Sequence, residues 1–325
     1  MAYAIIPPAT AKATRNPDKR PDISGSKAVI PGNSGAELKA LDLQILLDRN
    51  GFSPGEIDGR EGANTRTTLA AFQKARGIPS TGTADAATRQ ALGIAQAADT
   101  LISYTITPQD VAGPFTRQIP RDLVQQSKLA ALNFTSAAEA LGEKFHVKPS
   151  LLRQLNPGTR FAAGEQIKVP NIAATEGSKG NKGMAAVSAG PVTIVVSRNH
   201  SALIVQGQDG SVRFFAPVTT GSEHDPLPVG NWKVTGVQKN PTFNYNPDLF
   251  WDANPKHSKA KIPPGPNNPV GVVWIDIDRP HYGLHGTPEP GRIGHTESHG
   301  CVRLTNWDAM KVASYVKPGT PVIFQ

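Results

Sequence analysis

The sequence predicts a multidomain α+β protein, and three observations carry that reading. Its 325 residues exceed the roughly 100–200 of one domain. Apolar residues recur at helical spacing in the first third, but from Pro191 onward they alternate or run as in strands. Two stretches without periodicity, 1–35 and 173–189 (AATEGSKGNKGMAAVSA), are rich in small and polar residues. They read as a flexible leader and a linker.

Residues 36–95 are expected to form a small helical domain. Leu38, Leu41, Ile45 and Leu46 fall on one helical face, and Gly51 supplies a stop. Asn64 can cap a second helix bearing Leu69 and Phe72, closed by Gly77. Asp85 can cap a short third helix ended at Gly93. The acidic Asp58 and Glu61 lie in the intervening turn without EF-hand spacing and read as solvated.

Residues 100–172 form a second module in the order strand, helix, helix, strand. Tyr104-Thr105-Ile106 opens it. Ser136-x-x-Glu139 is a capping box for a helix carrying Ala138, Leu141 and Phe145. Pro149 starts a second helix, stopped by Asn156-Pro157-Gly158, and Ile167 to Pro170 closes the module. Roughly residues 108–133 stand as an insertion between its first strand and first helix. His146, at a helix end, reads as a packed or solvent-facing residue.

Residues 190–325 are expected to be mainly β with one short helix. Val192–Val196, Ala202–Val205 and Val212–Phe215 are strand-like, with Asp209-Gly210 as a hairpin turn. A Pro/Asn-rich excursion, 239–269, carries Phe243, Tyr245, Phe250 and Trp251. So long a loop in a compact domain reads as a lid or cleft wall, and Tyr245 and Trp251 are its candidate substrate contacts. Val270–Ile277 returns to strand. Thr305 or Asn306 caps a helix bearing Trp307 and Met310, and Val322–Phe324 ends the chain as a strand.

The net charge is +8 and the pI about 9.6. The charge is scattered, without the Lys/Arg block of a nucleic-acid arm, so no nucleic acid is expected as partner. A polyanionic surface remains compatible. One cysteine excludes an intrachain disulfide and multi-cysteine zinc motifs. No window reaches the roughly 20 apolar residues of a membrane span. The opening apolar stretch is too short for a signal-peptide core, so an export signal would lie outside this chain. A monomer is expected.

The chemistry concentrates at 285–306, HGTPEPGRIGHTESHGCVRLTN. This stretch holds the lone Cys301 and His285, His295 and His299. Gly300, His299 and Arg303 around the cysteine are not a core-strand composition, which weakens the reading of a small buried hydrophobe. A thiol needs a base to become a good nucleophile. His285 and His299 are both candidates. His285 is preferred because a separate strand can aim it independently. No acidic residue is placed to orient its second nitrogen, but a backbone carbonyl such as that of Gly286 would serve. Amide groups of Gly300 and Cys301 could meet an oxyanion, and Arg303 offers a fork for a carboxylate. A zinc site on these His and Cys residues is disfavoured. No pair has HExxH spacing, and a metal would quench the thiolate. No cofactor is called for.

Three resemblances follow. Ile57-Asp58-Gly59, Thr65, Leu69, Phe72-Gln73, Gly77-Ile78, Gly82 and Thr88 resemble the peptidoglycan-binding domain of cell-wall hydrolases. The strand–helix–helix–strand of 100–172 resembles a LysM glycan-binding module, apart from its insertion. HGT at 285–287, IG at 293–294, SHGC at 298–301 and the following VRL and NWDA resemble the catalytic signature of YkuD-type L,D-transpeptidases, as does IPPGPNNPVG at 262–271. Leu227-Pro228-Val229-Gly230 departs from the family's commoner Thr-Pro-x-Gly.

The last resemblance implies a β-sandwich-like fold, with Cys301 as nucleophile, His285 as base and Gly286 as its orienting carbonyl. It makes Ser298, His299 and Gly300 further motif residues and puts Arg303, Tyr245, Trp251 and Asn306 on the substrate. It implies acyl transfer on peptidoglycan stem peptides, giving 3→3 crosslinks with release of D-alanine, outside the cytoplasmic membrane and open to carbapenem inhibitors. An L,D-carboxypeptidase, or a non-catalytic wall-binding protein, is the alternative.

Overall fold

The computed structural model describes residues 39–93, 100–172 and 190–325. The leader and linker expected at 1–35 and 173–189 lie outside them. Among the described residues no helix is long and apolar enough to cross a membrane.

The first domain is three helices, α1 (Ala40–Arg49), α2 (Ala63–Ala75) and α3 (Ala86–Ala91). Gly51 takes φ +77° just past α1, a conformation that favours glycine. The Asp85 side chain accepts from Thr88 N at 2.8 Å and caps α3. The cap of α2 differs from expectation: Gly62 is the N-cap. Asn64 lies inside the first turn, where its amide donates to the carbonyl of Ile293 at 2.8 Å.

The second module contains β1 (Leu101–Thr105), α4 (Leu123–Gln126), α5 (Ala137–Lys144), α6 (Pro149–Leu155) and β2 (Gln166–Pro170). β1 and β2 pair antiparallel, Leu101 opposite Pro170. Ser136 caps α5 by accepting from Glu139 N. The two N-terminal units share a core: Ile45 and Ile57 pack with Leu141, Phe145, Leu152, Ile167 and Val169.

The last domain holds β3 (Val192–Ser197), β4 (Ala202–Gly207), β5 (Val212–Pro217), β6 (Gly230–Lys239), β7 (Phe243–Tyr245), β8 (Ala260–Ile262), β9 (Val273–Ile277), β10 (Gly283–His285), β11 (Val302–Arg303), α7 (Asn306–Tyr315) and β12 (Pro321–Phe324). Eight strands form one mixed sheet in the order β11-β10-β9-β6-β12-β3-β4-β5. β6 is long and shared. Its first half pairs with β12 and its second with β9, with a register shift between Val234 and Gly236. A bulge there bends the strand and lets the two halves turn toward each other. Ile194, Val205 and Val322 of one half then meet Val273, Ile275, Leu284 and Val302 of the other, with Ala309 and Val312 of α7 in the same core. Each such fully buried aliphatic side chain contributes roughly 1.5–3 kcal/mol.

The excursion between β6 and β9 is ordered. β7 and β8 pair as a hairpin, Phe243 opposite Ile262. Its apolar face meets the insertion of the second module: Leu132, Leu123, Val124 and Leu129 pack with Tyr245, Ile262 and Phe250. Leu132 N donates to Pro264 O at 3.0 Å, and Asn267 N to Leu132 O at 2.9 Å.

Candidate active site

The site forms where β10 and β11 run parallel, with His285 opposite Arg303. Leu284, Val302 and Leu304 are wholly buried in the sheet core. Strand alternation therefore turns His285, Cys301 and Arg303 to the other face, together. Cys301 precedes β11 by one residue, at the end of a tight turn. Ser298 Oγ donates to the Cys301 carbonyl at 2.6 Å and closes that turn. Gly300 sits in it at φ +92°, where any Cβ would overlap the Tyr282 ring.

His285 is 4% exposed. Its ring stacks on Trp274, its cross-strand neighbour, at 5.3 Å and 16°. Its Nδ1 lies 2.7 Å from the Gly286 carbonyl oxygen. A carbonyl only accepts, so Nδ1 carries the proton and Nε2 keeps a lone pair, as a base requires. Burial and the nearby Arg303 charge push the imidazole down to about 3, against the Gly286 bond. Burial also drives the Cys301 thiol up to about 11, with Gly283 and Arg303 opposing and Asp225 adding to the rise. The thiol donates to the His281 carbonyl at 3.7 Å. Burial thus favours a neutral thiol and a neutral imidazole over the preformed ion pair that Cys–His chemistry also allows.

Arg303 is half-buried. Its backbone is tied to Thr219 in both directions, at 2.9 and 3.0 Å. Its guanidinium donates only to the Glu297 carbonyl at 3.4 Å, and among the described residues no carboxylate lies within ion-pair distance. It is a cation available to an anion beside the thiol.

The remaining sequence candidates divide. His299 does not serve Cys301 as base. Its Nε2 bonds Asp252 at 2.8 Å, its Nδ1 is buried without a partner, and Phe250 meets its ring edge-on at 4.8 Å. The lid thereby rests on the motif. Trp251 is 60% exposed, and its ring meets His224 at 4.4 Å and 32° and His299 at 6.1 Å. Two candidates need correction. Tyr245 is 4% exposed, inside the lid core, so its ring cannot face a substrate. Its hydroxyl bonds His257 Nδ1 at 3.0 Å, and His257 Nε2 bonds Asp122 of the insertion at 2.9 Å. Asn306 is 1% exposed. It lies behind the site with its amide spent on protein groups, so it is not a substrate contact.

Sequence reasoning missed two residues. Trp274 was legible only as an apolar strand residue. Glu143 donates nothing by motif, yet its carboxylate accepts from Asn306 at 3.1 Å. His146, read from the sequence as packed or solvent-facing, is packed and joins all three units. Its Nδ1 bonds Asp48 of α1 at 3.0 Å, and its ring stacks on Trp307 of α7 at 5.0 Å and 9°. Beside it, buried Asp308 of α7 accepts from Ser53 Oγ at 2.9 Å.

Residues 191–324 match the family described as the L,D-transpeptidase catalytic domain (YkuD), and residues 39–92 match the "Putative peptidoglycan binding domain" family. The chain is 27% identical over 187 residues to "Putative L,D-transpeptidase YkuD" of Bacillus licheniformis, covering 57% of this chain and 90% of that one. It is 35% identical over 112 residues to "Probable L,D-transpeptidase YbiS" of Escherichia coli, covering 33% of this chain and 36% of the relative. A solved structure of L,D-transpeptidase 3 from Mycobacterium tuberculosis with a faropenem-derived adduct aligns at TM-score 0.35 and 21% identity, over 41% of this chain and 60% of that one. This chain carries an L,D-transpeptidase catalytic domain of the YkuD family at 191–324, preceded by a peptidoglycan-binding domain at 39–92.

Proposed function

We propose that this protein crosslinks peptidoglycan as a cysteine-dependent L,D-transpeptidase, outside the cytoplasmic membrane. The observation that carries the reading is the His285 tautomer. With Nδ1–H held by Gly286 O, Nε2 is the free basic atom on the face shared with Cys301.

In the first step Cys301 Sγ attacks the carbonyl of the L,D-configured bond of a donor tetrapeptide stem. His285 Nε2 takes the thiol proton and passes it to the departing amine of D-alanine. Amide groups of Gly300 and Cys301 meet the oxyanion, and Arg303 receives the terminal carboxylate. In the second step the side-chain amine of another stem attacks the thioester. His285 removes its proton, and the thiol leaves with that proton, giving a 3→3 bond. Both acid and base begin neutral, so the only charge beside the resting pair among the groups assigned a role is that of Arg303.

The N-terminal units raise the enzyme's concentration at the wall by multivalency, the first through its peptidoglycan-binding fold and the second through its LysM-like glycan-binding arrangement. Carbapenems acylate Cys301.

The test incubates the protein with disaccharide tetrapeptide and follows the products by mass spectrometry. Dimers lacking one D-alanine are expected, and none with Cys301→Ala. Tripeptide alone would make water the acceptor and the enzyme an L,D-carboxypeptidase. No turnover and no meropenem adduct would leave a wall-binding protein.

A further inference from the structure

We propose that Glu143, on α5 of the second module, is a positioning residue for the base His285, acting through Asn306 and the Gly286 peptide. The inference rests on the reading of His285 as base.

The path consists of direct contacts. Asn306 Nδ2 donates to Glu143 Oε2 at 3.1 Å and to the Pro266 carbonyl at 3.0 Å. Its Oδ1 accepts from Val272 N at 3.2 Å. Two acceptors on one side and a donor on the other admit a single orientation of the amide. A half-turn about the last side-chain bond would set oxygen against oxygen. That oriented Oδ1 lies directly on Gly286 and Gly271, and a Cβ on either glycine would overlap it. The Gly286 peptide is therefore seated against the Asn306 amide on one side, while its carbonyl holds His285 Nδ1 at 2.7 Å. Anything that turns or shifts the amide moves the peptide that aims the base.

α5 is itself fixed to the same region of the catalytic domain. Asn267 Nδ2 donates to Glu139 Oε1 at 2.8 Å and to the Asn133 carbonyl at 2.9 Å. Glu143 is an expensive group for a wall that only fills space. It is half-buried, and no cation of the described residues is within ion-pair distance. Its carboxylate does one thing that an apolar residue of similar size cannot: it accepts the Asn306 proton. Without it, one Nδ2–H is stranded in a site 1% exposed, and the amide loses the partner that defines its orientation. Misplacing a catalytic group by about 1 Å can cost ~10²-fold in rate, so an offset of a fraction of that costs about tenfold.

The test compares Glu143→Leu, Glu143→Gln, Asn306→Ala and His285→Ala in the full chain. Cys301 is the only cysteine, so iodoacetamide alkylation followed by intact mass reports the nucleophile without any assumption about the acceptor. Nitrogen NMR reports which ring nitrogen of His285 is protonated. Glu143→Leu is expected to slow alkylation about tenfold, to lower kcat more than it raises KM, and to blur the Nδ1–H tautomer. Glu143→Gln keeps an acceptor oxygen and should restore all three to within about threefold. Glu143→Leu added to Asn306→Ala should cost nothing further. Wild-type alkylation with an unchanged tautomer in Glu143→Leu would overturn the proposal, as would equal losses in the Leu and Gln variants. If His285→Ala alkylates like wild type, the assignment of the base fails, whatever Glu143 does.

Discussion

The ring of Tyr282 occupies the space that any side chain on Gly300 would need. The neighbour of Cys301 is thus a glycine for two reasons, the ring and a φ of +92°. Gly300→Ala is expected to reduce acyl transfer at least ~100-fold and to cost about 2 kcal/mol of stability. Adding Tyr282→Ala removes the overlap but not the backbone strain, so it should recover only part of each loss. Thermal melts and single-turnover acylation read the two effects separately.

The neutral Cys301–His285 pair predicts a particular pH response. With the thiol near 11 and the imidazole near 3, alkylation of Cys301 should climb steadily between about pH 6 and 9.5, without a plateau near neutrality. An ion pair already formed at pH 6 would give a flat profile and disprove this. Arg303→Ala removes a cation that favours thiolate, so alkylation at pH 8 should fall several-fold.

The lid is held by a relay from Asp122 through His257 to Tyr245. His257→Ala strands the buried Tyr245 hydroxyl, at about 1–2 kcal/mol. Hydrogen exchange across 243–262 should accelerate, and KM for the donor should rise more than kcat falls. Asp122→Ala should do the same more mildly, because His257 keeps its bond to Tyr245. Unchanged exchange in both variants would mean that the apolar packing alone holds the lid.

The junction of the three units should loosen as pH rises. Burial raises Glu56 to about 6, Glu143 to about 7 and Asp308 to about 7, partly offset by Lys148, by Asn306 and by Thr305 respectively. In each case the folded state holds a proton that the unfolded chain has lost above roughly pH 4–5. By linkage, stability then falls as pH climbs from there through the folded value. His146 is opposed by its burial, but Asp48 outweighs that and raises it. Its contribution is complete below the unfolded value near 6.5 and is lost above it, so all four groups act in one direction. The melting temperature should be higher at pH 5.5 than at pH 8. Asp308→Asn should flatten that slope and stabilise the pH 8 state by on the order of 2 kcal/mol. A Tm that rises toward pH 8 would contradict this.

Local chemistry was legible in the sequence. Asp209-Gly210 turns the β4–β5 hairpin, Asp85 caps α3, and the 285–306 stretch does bring His285, Cys301 and Arg303 to one face. What was not legible is how distant residues spend polar groups. Asn64 looks like a cap but is committed to Ile293, 229 residues away. Asn306 looks like a substrate contact but is committed to Glu143, 163 residues away. The insertion at 108–133 reads in the sequence only as an interruption of a small module, and nothing there assigns a partner to its Leu123, Leu129 and Leu132. Their partners are on the lid, and no periodicity records a match between two such segments.

The helical domain also does something for the sheet that wall binding does not require. β5 is the outermost strand, and its open side is taken up by residues 51–53. Phe215 N donates to Gly51 O at 3.0 Å, Ser53 N donates to Phe215 O at 2.8 Å, and Phe52 stacks on Phe215 at 6.1 Å. An uncovered strand border is a template for joining another copy. Residues 190–325 alone would bare that border together with Phe215, and should self-associate where the longer chain stays dispersed. The unit that matches a peptidoglycan-binding family thus also covers the border through which copies of the sheet would join.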